Sequence, residues 1–496
     1  MQFWESMEFG ALAVSLRATA GKSAGEIRDI QRSRLENLVR HARQNSSFYR
    51  EKFAGAHESS FKLTDLPTST KPELMEHFDG ALTVADVRRA DIEKFFEDEA
   101  NIGKYFRDKY VLSHTSGSQG QPFLIVQPKE NMELLFALHV SRGNHKSLSF
   151  WEAVKHLVTP ARLAVVILKR GFYPSAVAFD HMPEGARPYI ELLRLSMTDD
   201  DLIDRLAEFR PTHLTAYASV LHELARQIES GRLMLQPELE QVVNISERLM
   251  PQAREHYAEV FGTPVLDSYA MGECLFLTSG CPAGPGMHVN ADWAILEVVD
   301  ENNRPVPDGT KGAKVLITNL ANHVQPIIRY EIGDIVTMAT KDCGCGSNLP
   351  LVACVEGRDS DVFWIEGNQG QRALSPAVFD VAIGQIVEVR EYQIVQDEPN
   401  RFRILVEPLP GEKLDRDRAN RILREELEEH DLDERLKVDL QIVDRLAPEG
   451  GNKFKRVVSH VSPAADPNDK RVSRRRHQGA GNGGRTPERV GGAADE

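Results

Sequence analysis

Thr115, Ser116, Gly117, Ser118 and Gly120 place three hydroxyls and two glycines in one short loop between apolar runs. A hairpin needs only a couple of turn residues, so a loop this long and polar does more than reverse the chain. The hydroxyls are donors, and the glycines let backbone N–H groups close around an anion. The loop lacks the G-x-x-x-x-G-K-[ST] pattern, and an apolar strand rather than a helix follows Pro122, so it is not a P-loop. Four further stretches carry charge in strand-end or loop settings. "DSYAMGE" ends on Glu273, "IIRYEIGD" on Asp334, "EGRDSD" holds Arg358, and "PEGGNKFKRV" sets Lys453 in a glycine-rich loop. Taken singly, each has a plainer reading as a turn, a strand end, a linker or a basic surface loop.

Cys281 and His288 lie in "CPAGPGMH", and Cys343 and Cys345 in "DCGCG". Three thiols and an imidazole in two glycine-rich loops form the ligand set of a closed structural zinc site. Scattered loop cysteines are the alternative, because Cys-x-Cys is a less typical spacing than Cys-x-x-Cys. Cys274 and Cys354 stand beside apolar strand residues and read as small core side chains.

The elements that must position these groups follow from the hydrophobic pattern. The chain of 496 residues is long enough for two or three domains, and its apolar and charged fractions, 41 % and 27 %, are those of a globular protein. A formal net charge of −14 argues against a nucleic-acid or anionic-membrane binder. The start, "MQFWESMEFGALAVSLRA", does not read as a signal peptide, and "LAVVIL" is too short to span a bilayer. Five cysteines fit a reducing compartment and hence a cytoplasmic protein.

"SAGEIRDIQRSRLENLVRHARQNSSFYREKF" has helical spacing throughout. From Val111 to Asp300, strand-like runs alternate with amphipathic helical patterns, which predicts an α/β domain. From Trp293 the texture turns to strands joined by Gly, Pro, Asn and Asp, a β-rich subdomain. Residues 358–462 read as a small α+β domain beyond a large domain of residues 1–357. Residues 463–496 hold almost no large apolar residue and are expected to be disordered.

Together and in this order, the charged stretches and the glycine loop resemble the adenylate-forming superfamily of acyl-CoA ligases and adenylation domains, in particular its phenylacetate–CoA ligase-like branch. The resemblance runs from "RLENLVRHARQNSSFYREKF" to "NKFKRV". It implies a large α/β domain with a small mobile C-terminal domain, and Thr115, Ser116, Gly117, Ser118 and Gly120 around the ATP phosphates. It places Glu273 on Mg²⁺, Tyr269 near adenine with Asp267 and Ser268 beside it, and Ser246 and Glu247 of "ISERL" on the adenine side. Asp334 would accept the ribose hydroxyls, Arg358 would contact ribose or phosphate, and Lys453 would bridge the attacking carboxylate and the α-phosphate. Catalysis would then rest on Lys453, Glu273 and Thr115. Some relatives of this branch look similar in joining the two cysteine loops through a metal, and the resemblance also implies a homodimer.

The sequence departs from the family pattern at several positions. Tyr269-Ala270-Met271-Gly272-Glu273 stands where Tyr-Gly-x-Ser/Thr-Glu is usual, so a hydroxyl is missing at Gly272. Ser118-Gln119 replaces Thr-Thr, "YEIGD" replaces Tyr-Arg-Thr-Gly-Asp, and Ser360 stands where the hinge aspartate is customary. The resemblance puts the acyl pocket at Phe136, His139 and Val140 on one helix and at Ala270 and Met271, although the helix residues serve equally as core. Such a lining suits a flat aromatic acid. The expected activity is an ATP-dependent carboxylate–CoA ligase acting through an acyl-adenylate. The alternatives are transfer to a separate carrier protein's thiol or to an amine, and a non-catalytic nucleotide-binding relative.

Overall fold

The computed structural model describes residues 2–55, 61–115, 122–142, 159–167, 170–197, 199–358, 363–367, 370–374, 376–429, 432, 434–446 and 454–461. The tail at 463–496, which the composition marks as disordered, lies outside these residues.

A helix over Gln2–Ala20 precedes a second over Ala24–Asn45. Ser23 caps the second: its Oγ accepts from the Glu26 N–H while the Glu26 carboxylate accepts from the Ser23 N–H. The buried stripe Ile27, Leu35, Leu38, Val39 and Ala42 then docks it. The sequence predicts one continuous helix through Phe53, but the chain breaks at Ser46. That residue is extended, and its hydroxyl accepts the Tyr49 N–H to start a separate helix over Ser47–Lys52. A serine acceptor satisfies first-turn donors better outside a helix than within one, which accounts for the break.

Strands β1 (Tyr110–His114) and β2 (Leu124–Pro128) form an antiparallel hairpin around the glycine-rich loop. The helix Glu130–Arg142 follows. Five parallel strands come next: β3 (Ala161–Ile167), β4 (Ile190–Ser196), β5 (His213–Ala216), β6 (Gln241–Ile245) and β7 (Val265–Ser268). They are ordered β4-β3-β5-β6-β7. Leu163 to Val166 are all at most 1 % exposed, as expected for a parallel strand covered on both faces. Helices Leu202–Phe209, Ala218–Glu229 and Pro251–Phe261 alternate with these strands. Gly262, at φ +66°, ends the last of them in the left-handed conformation that glycine takes without a Cβ clash.

The β-rich part holds β8 (Thr278–Gly280), β9 (Met287–Val289), β10 (Ala294–Val299), β11 (Lys314–Asn319), β12 (Ile327–Ile332), β13 (Asp334–Met338) and β14 (Leu351–Arg358). They form the sheets β10-β11-β12 and β13-β14-β9-β8. Beyond a hairpin of β15 (Phe363–Gly367) and β16 (Gly370–Leu374) lie β17 (Val389–Glu398), β18 (Arg401–Pro408), β19 (Lys437–Ile442) and β20 (Val457–Ser459), ordered β19-β18-β17-β20. Helices Ala377–Gly384 and Arg416–Glu429 accompany this last sheet, and Phe363, Phe379 and Phe402 meet as rings in its core. The architecture is therefore α/β with a β-rich addition and a small C-terminal α+β unit. Among the described residues, no helix is long and apolar enough to cross a membrane.

One buried ion pair ties the helix Glu130–Arg142 to the rest. Arg142 and Asp292, each 1 % exposed, make a two-pronged contact with both distances 2.8 Å. Arg142 also donates to Asn290 Oδ1 at 2.8 Å and to the Leu16 carbonyl at 3.2 Å. Asp292→Ala would leave a buried guanidinium without its counter-charge and is expected to cost about 3–5 kcal/mol in urea denaturation. The paired apolar replacement Arg142→Met with Asp292→Leu should recover much of that loss, and a double variant as unstable as the single would contradict it.

Candidate active site

In open α/β sheets, ligands collect beyond the carboxyl ends of the strands, where loops diverge. Here that edge carries Tyr217 after β5, Ser246 after β6, and Tyr269 after β7. Ser246 holds φ +64°, an uncommon conformation for a side-chain-bearing residue, and the following Glu247 N–H turns back to the Ile245 carbonyl at 2.8 Å. Asn244 stabilises this turn by donating to the Glu247 carbonyl at 2.7 Å and to Asp267 Oδ1 at 2.6 Å. Arg254 reaches the other Asp267 oxygen at 3.1 Å. Burial raises the Asp267 pKa, against the pull of Arg254 and Asn244. Asp267 thus braces the strand ends, while its neighbours Ser268 and Ala270 face a cavity.

Tyr269 and Asp334, 65 positions apart in sequence, meet directly: the phenol donates to Asp334 Oδ2 at 2.8 Å, and both are buried. Thr278 Oγ1 holds the Tyr269 backbone by accepting its N–H and donating to its carbonyl, each at 2.8 Å. Asp334 opens β13 directly across from Arg358 at the end of β14, so the hairpin register brings those two positions to one edge. The Arg358 side chain lies outside the described parts. Glu273 is buried, with its carbonyl held by Asn319 Nδ2 at 2.8 Å.

Thr115 closes the base of the glycine loop. Its N–H donates to the Phe123 carbonyl and its Oγ1 accepts the Phe123 N–H, both at 3.0 Å. Ser116, Gly117, Ser118 and Gly120 lie outside the described residues, as do Lys453 and the hinge residue Ser360.

Gly272 has a packing reason to be glycine. A Cβ there would stand 2.5 Å from Ile125 Cδ1 and 2.8 Å from Pro174 Cγ. The usual Ser or Thr would need the Ile125 and Pro174 side chains to shift.

The cavity beside this edge has a volume of about 120 Å³. His139 and Ala270 line it, along with Ser246 and Ser268. Phe136 turns instead into the core, its ring edge-on to Phe179 at 6.0 Å, and Val140 packs against the same core. Met271 forms a short backbone turn with Cys274. Burial, with His213 nearby, pushes His139 down to about 4, so its imidazole is neutral at physiological pH. Sequence reasoning missed Thr215 and Gln241, which also line the cavity. The alternation of side chains along β5 and β6 was the available signal.

Cys281, His288, Cys343 and Cys345 converge, with ligand atoms all within 4.8 Å of one another. His288 Nδ1 sits 2.9 Å from the Leu349 carbonyl, so its N–H points there and Nε2 is left as an acceptor. Cys345 Sγ is 3.3 Å from that Nε2, and Cys281 Sγ is 3.3 Å from Cys343 Sγ. Donors so arranged match a closed four-ligand set. By contrast, Cys274 is fully buried.

The C-terminal unit docks on the same edge. Glu247 Oε1 accepts the N–H of Phe454, the residue after Lys453, at 3.0 Å, while Oε2 accepts the Ser219 N–H at 2.9 Å. Nearby, Arg456 joins Glu391 at 2.7 Å and the Arg248 carbonyl at 3.3 Å. Arg390 donates to the His222 carbonyl at 3.0 Å, and His222 Nε2 lies 2.8 Å from Glu407.

No family model matches the chain. Over 381 residues it is 24 % identical to phenylacetate–coenzyme A ligase of Thermus thermophilus, covering 75 % of this chain and 78 % of that protein. It is 21 % identical over 326 residues to Protein CapK of Staphylococcus aureus, covering 64 % of each. The fold superposes on 2-hydroxyisobutyryl-CoA ligase in the postadenylation state with a TM-score of 0.64 at 20 % identity, over 93 % of both chains. The chain has the adenylate-forming ligase fold. Its sequence likeness lies with the phenylacetate–CoA ligase-like branch. The Glu247 contact holds the backbone at Phe454 against the large α/β part.

Glu247→Ala should therefore raise amide hydrogen exchange at Phe454–Arg456 about tenfold or more, a charge-assisted bond having been lost. Exchange in the helix Pro251–Phe261 should not change. Unaltered exchange at Phe454 would show that Glu247 does not hold this segment.

Proposed function

We propose that the protein is an ATP-dependent acid–CoA ligase that activates a carboxylic acid as its acyl-adenylate and passes the acyl group to CoA. The observation that carries this reading is the hydrogen bond of Tyr269 to Asp334 beyond the carboxyl ends of the parallel strands, beside a small cavity lined by Ser268 and Ala270, with Phe454 held to the same edge by Glu247. The family relationship and the named activity of the Thermus relative support it.

In this reading an oxygen of the substrate carboxylate attacks the α-phosphorus of ATP, and the bond to pyrophosphate breaks. Both reactants are anionic, so fixed positive charge and oriented donors must offset their repulsion. Lys453 would supply that charge at the α-phosphate, and the loop from Thr115 to Gly120 would hold the departing phosphates. Asp334 offers two acceptor oxygens for the ribose hydroxyls, with one already oriented by Tyr269. Glu273 is the carboxylate that would hold Mg²⁺, whose chemistry is to neutralise phosphate charge. The thiol of CoA then attacks the acyl carbon and AMP leaves.

Lysine at the α-phosphate would obstruct that second attack. We therefore take residues 358–462 as a mobile domain that undocks from 1–357 between the two half-reactions. A cavity of about 120 Å³, with Phe179 and Phe276 in its wall, suits an acid built on one small aromatic ring. The cysteine–histidine cluster we assign to a structural zinc, because four protein ligands leave no open position for substrate.

ATP–pyrophosphate exchange with Mg²⁺ and without CoA, run over a panel of aromatic and short aliphatic acids, tests the activity. Lys453→Ala should lower exchange by about two orders of magnitude or more while ATP binding persists. Full exchange in that variant would remove the lysine from the mechanism. Elemental analysis should find one zinc per chain, lost in Cys343→Ser together with thermal stability. Wild-type protein purified without zinc and equally stable would refute the metal assignment.

A further inference from the structure

Thr215, Gln241 and His139 are polar side chains that line the cavity. On β6, Gln241, Val243 and Ile245 alternate onto one face; the register sets Thr215 of β5 beside Val243, Leu266 of β7 beside Val243, and Ser268 beside Ile245. All these residues line the cavity, so it runs down the sheet in layers. Ile245, Ser246, Ser268 and Ala270 form the mouth. Thr215, Val243 and Leu266 lie two residues below, about 7 Å at the usual strand rise. Gln241 lies a further two residues down, and His139 enters from the helix Glu130–Arg142.

Thr215 is 1 % exposed, and its hydroxyl has no hydrogen-bond partner. Neither the Gln241 amide nor the His139 ring makes a hydrogen bond to another described residue. Buried polar groups are nearly always satisfied, so the open Thr215 hydroxyl, with the Gln241 amide and the partly buried His139 ring around the same hollow, points to a ligand that completes it. Water can fill the space between turnovers.

Resting on the ligase reading of this site, we infer that the acid carries a hydroxyl remote from its carboxylate, received by Thr215 with Gln241 and His139. A hydroxyl both donates and accepts, and threonine, glutamine and imidazole can each answer it in either sense. Among the described residues no lysine or arginine lines the cavity, and His139 is neutral, so a second carboxylate would find no counter-charge there. With the carboxylate at the mouth, the separation of the layers matches the span of a para-substituted ring.

The test compares 4-hydroxybenzoate, 4-methylbenzoate and terephthalate in pyrophosphate exchange and in calorimetric binding without ATP. Sites built to hydrogen-bond a substrate hydroxyl discriminate strongly against analogues that lack it. Wild type is expected to favour 4-hydroxybenzoate over 4-methylbenzoate by about tenfold or more, with terephthalate weakest. The near-isosteric Thr215→Val should collapse that ratio by weakening the hydroxy acid while the methyl acid holds or gains. Preference for the methyl acid, or a ratio indifferent to Thr215→Val, would overturn the inference. If no acid supports exchange but 4-hydroxybenzoate binds with Thr215-dependent affinity, the ligase reading fails and the hydroxyl site stands. If other acids exchange while none of these three binds, the hydroxyl site fails and the ligase reading stands.

Discussion

The buried pair of Arg142 and Asp292 is the constraint on which the site depends. It joins the end of the helix lining the cavity to the segment that follows β9, and through Leu16 to the first helix of the chain. Arg34 reaches the same aspartate and stacks over Trp293 with its guanidinium 3.4 Å from the ring centre, bringing in the second helix. Buried charges are tolerable only when paired and hydrogen-bonded, so these segments have a narrow range of mutual positions. His288, on β9 itself, and the Asn290 that lines the cavity inherit that placement. The cysteine–histidine cluster and the cavity are therefore two ends of one rigid connection.

The opposite side of the site is held by weaker, reversible contacts. Glu247 accepts two backbone N–H groups, one from the start of a helix and one from the segment after Lys453. Arg456, Arg390 and the His222–Glu407 contact extend this polar seam. Polar seams of this kind separate at less cost than apolar cores, since water can replace each lost partner. The site thus has a tightly braced wall on the side of Arg142 and Asp292 and a polar seam on the side of Glu247.

Departures from the family pattern become intelligible through packing. The hydroxyl missing at position 272 looks in sequence like a lost ligand, but a Cβ there would press on the side chains of Ile125 and Pro174. Both neighbours come from distant segments, one from β2 and one from the helix after β3. Gly272 is thus a consequence of how closely the glycine-loop hairpin approaches the Glu273 turn.

The sequence by itself determined the alternation of strands and helices, the hairpin around the glycine loop, the β-rich insertion and the C-terminal α+β unit. Those depend on local periodicity and turn chemistry, which adjacent residues carry. Its short polar stretches also named Tyr269, Asp334 and the four cysteine and histidine residues individually. Only the tertiary structure decided which of them touch: Tyr269 with Asp334, and Cys281 with Cys343, are contacts across 65 and 62 positions. It separated His139 and Ala270, which line the cavity, from Phe136, which turns into the core. It also turned Glu247 from a position along a loop into the acceptor that holds the Phe454 N–H. Helical and strand patterns report which face is apolar, whereas the partner opposite that face is chosen by long-range packing that no local spacing encodes.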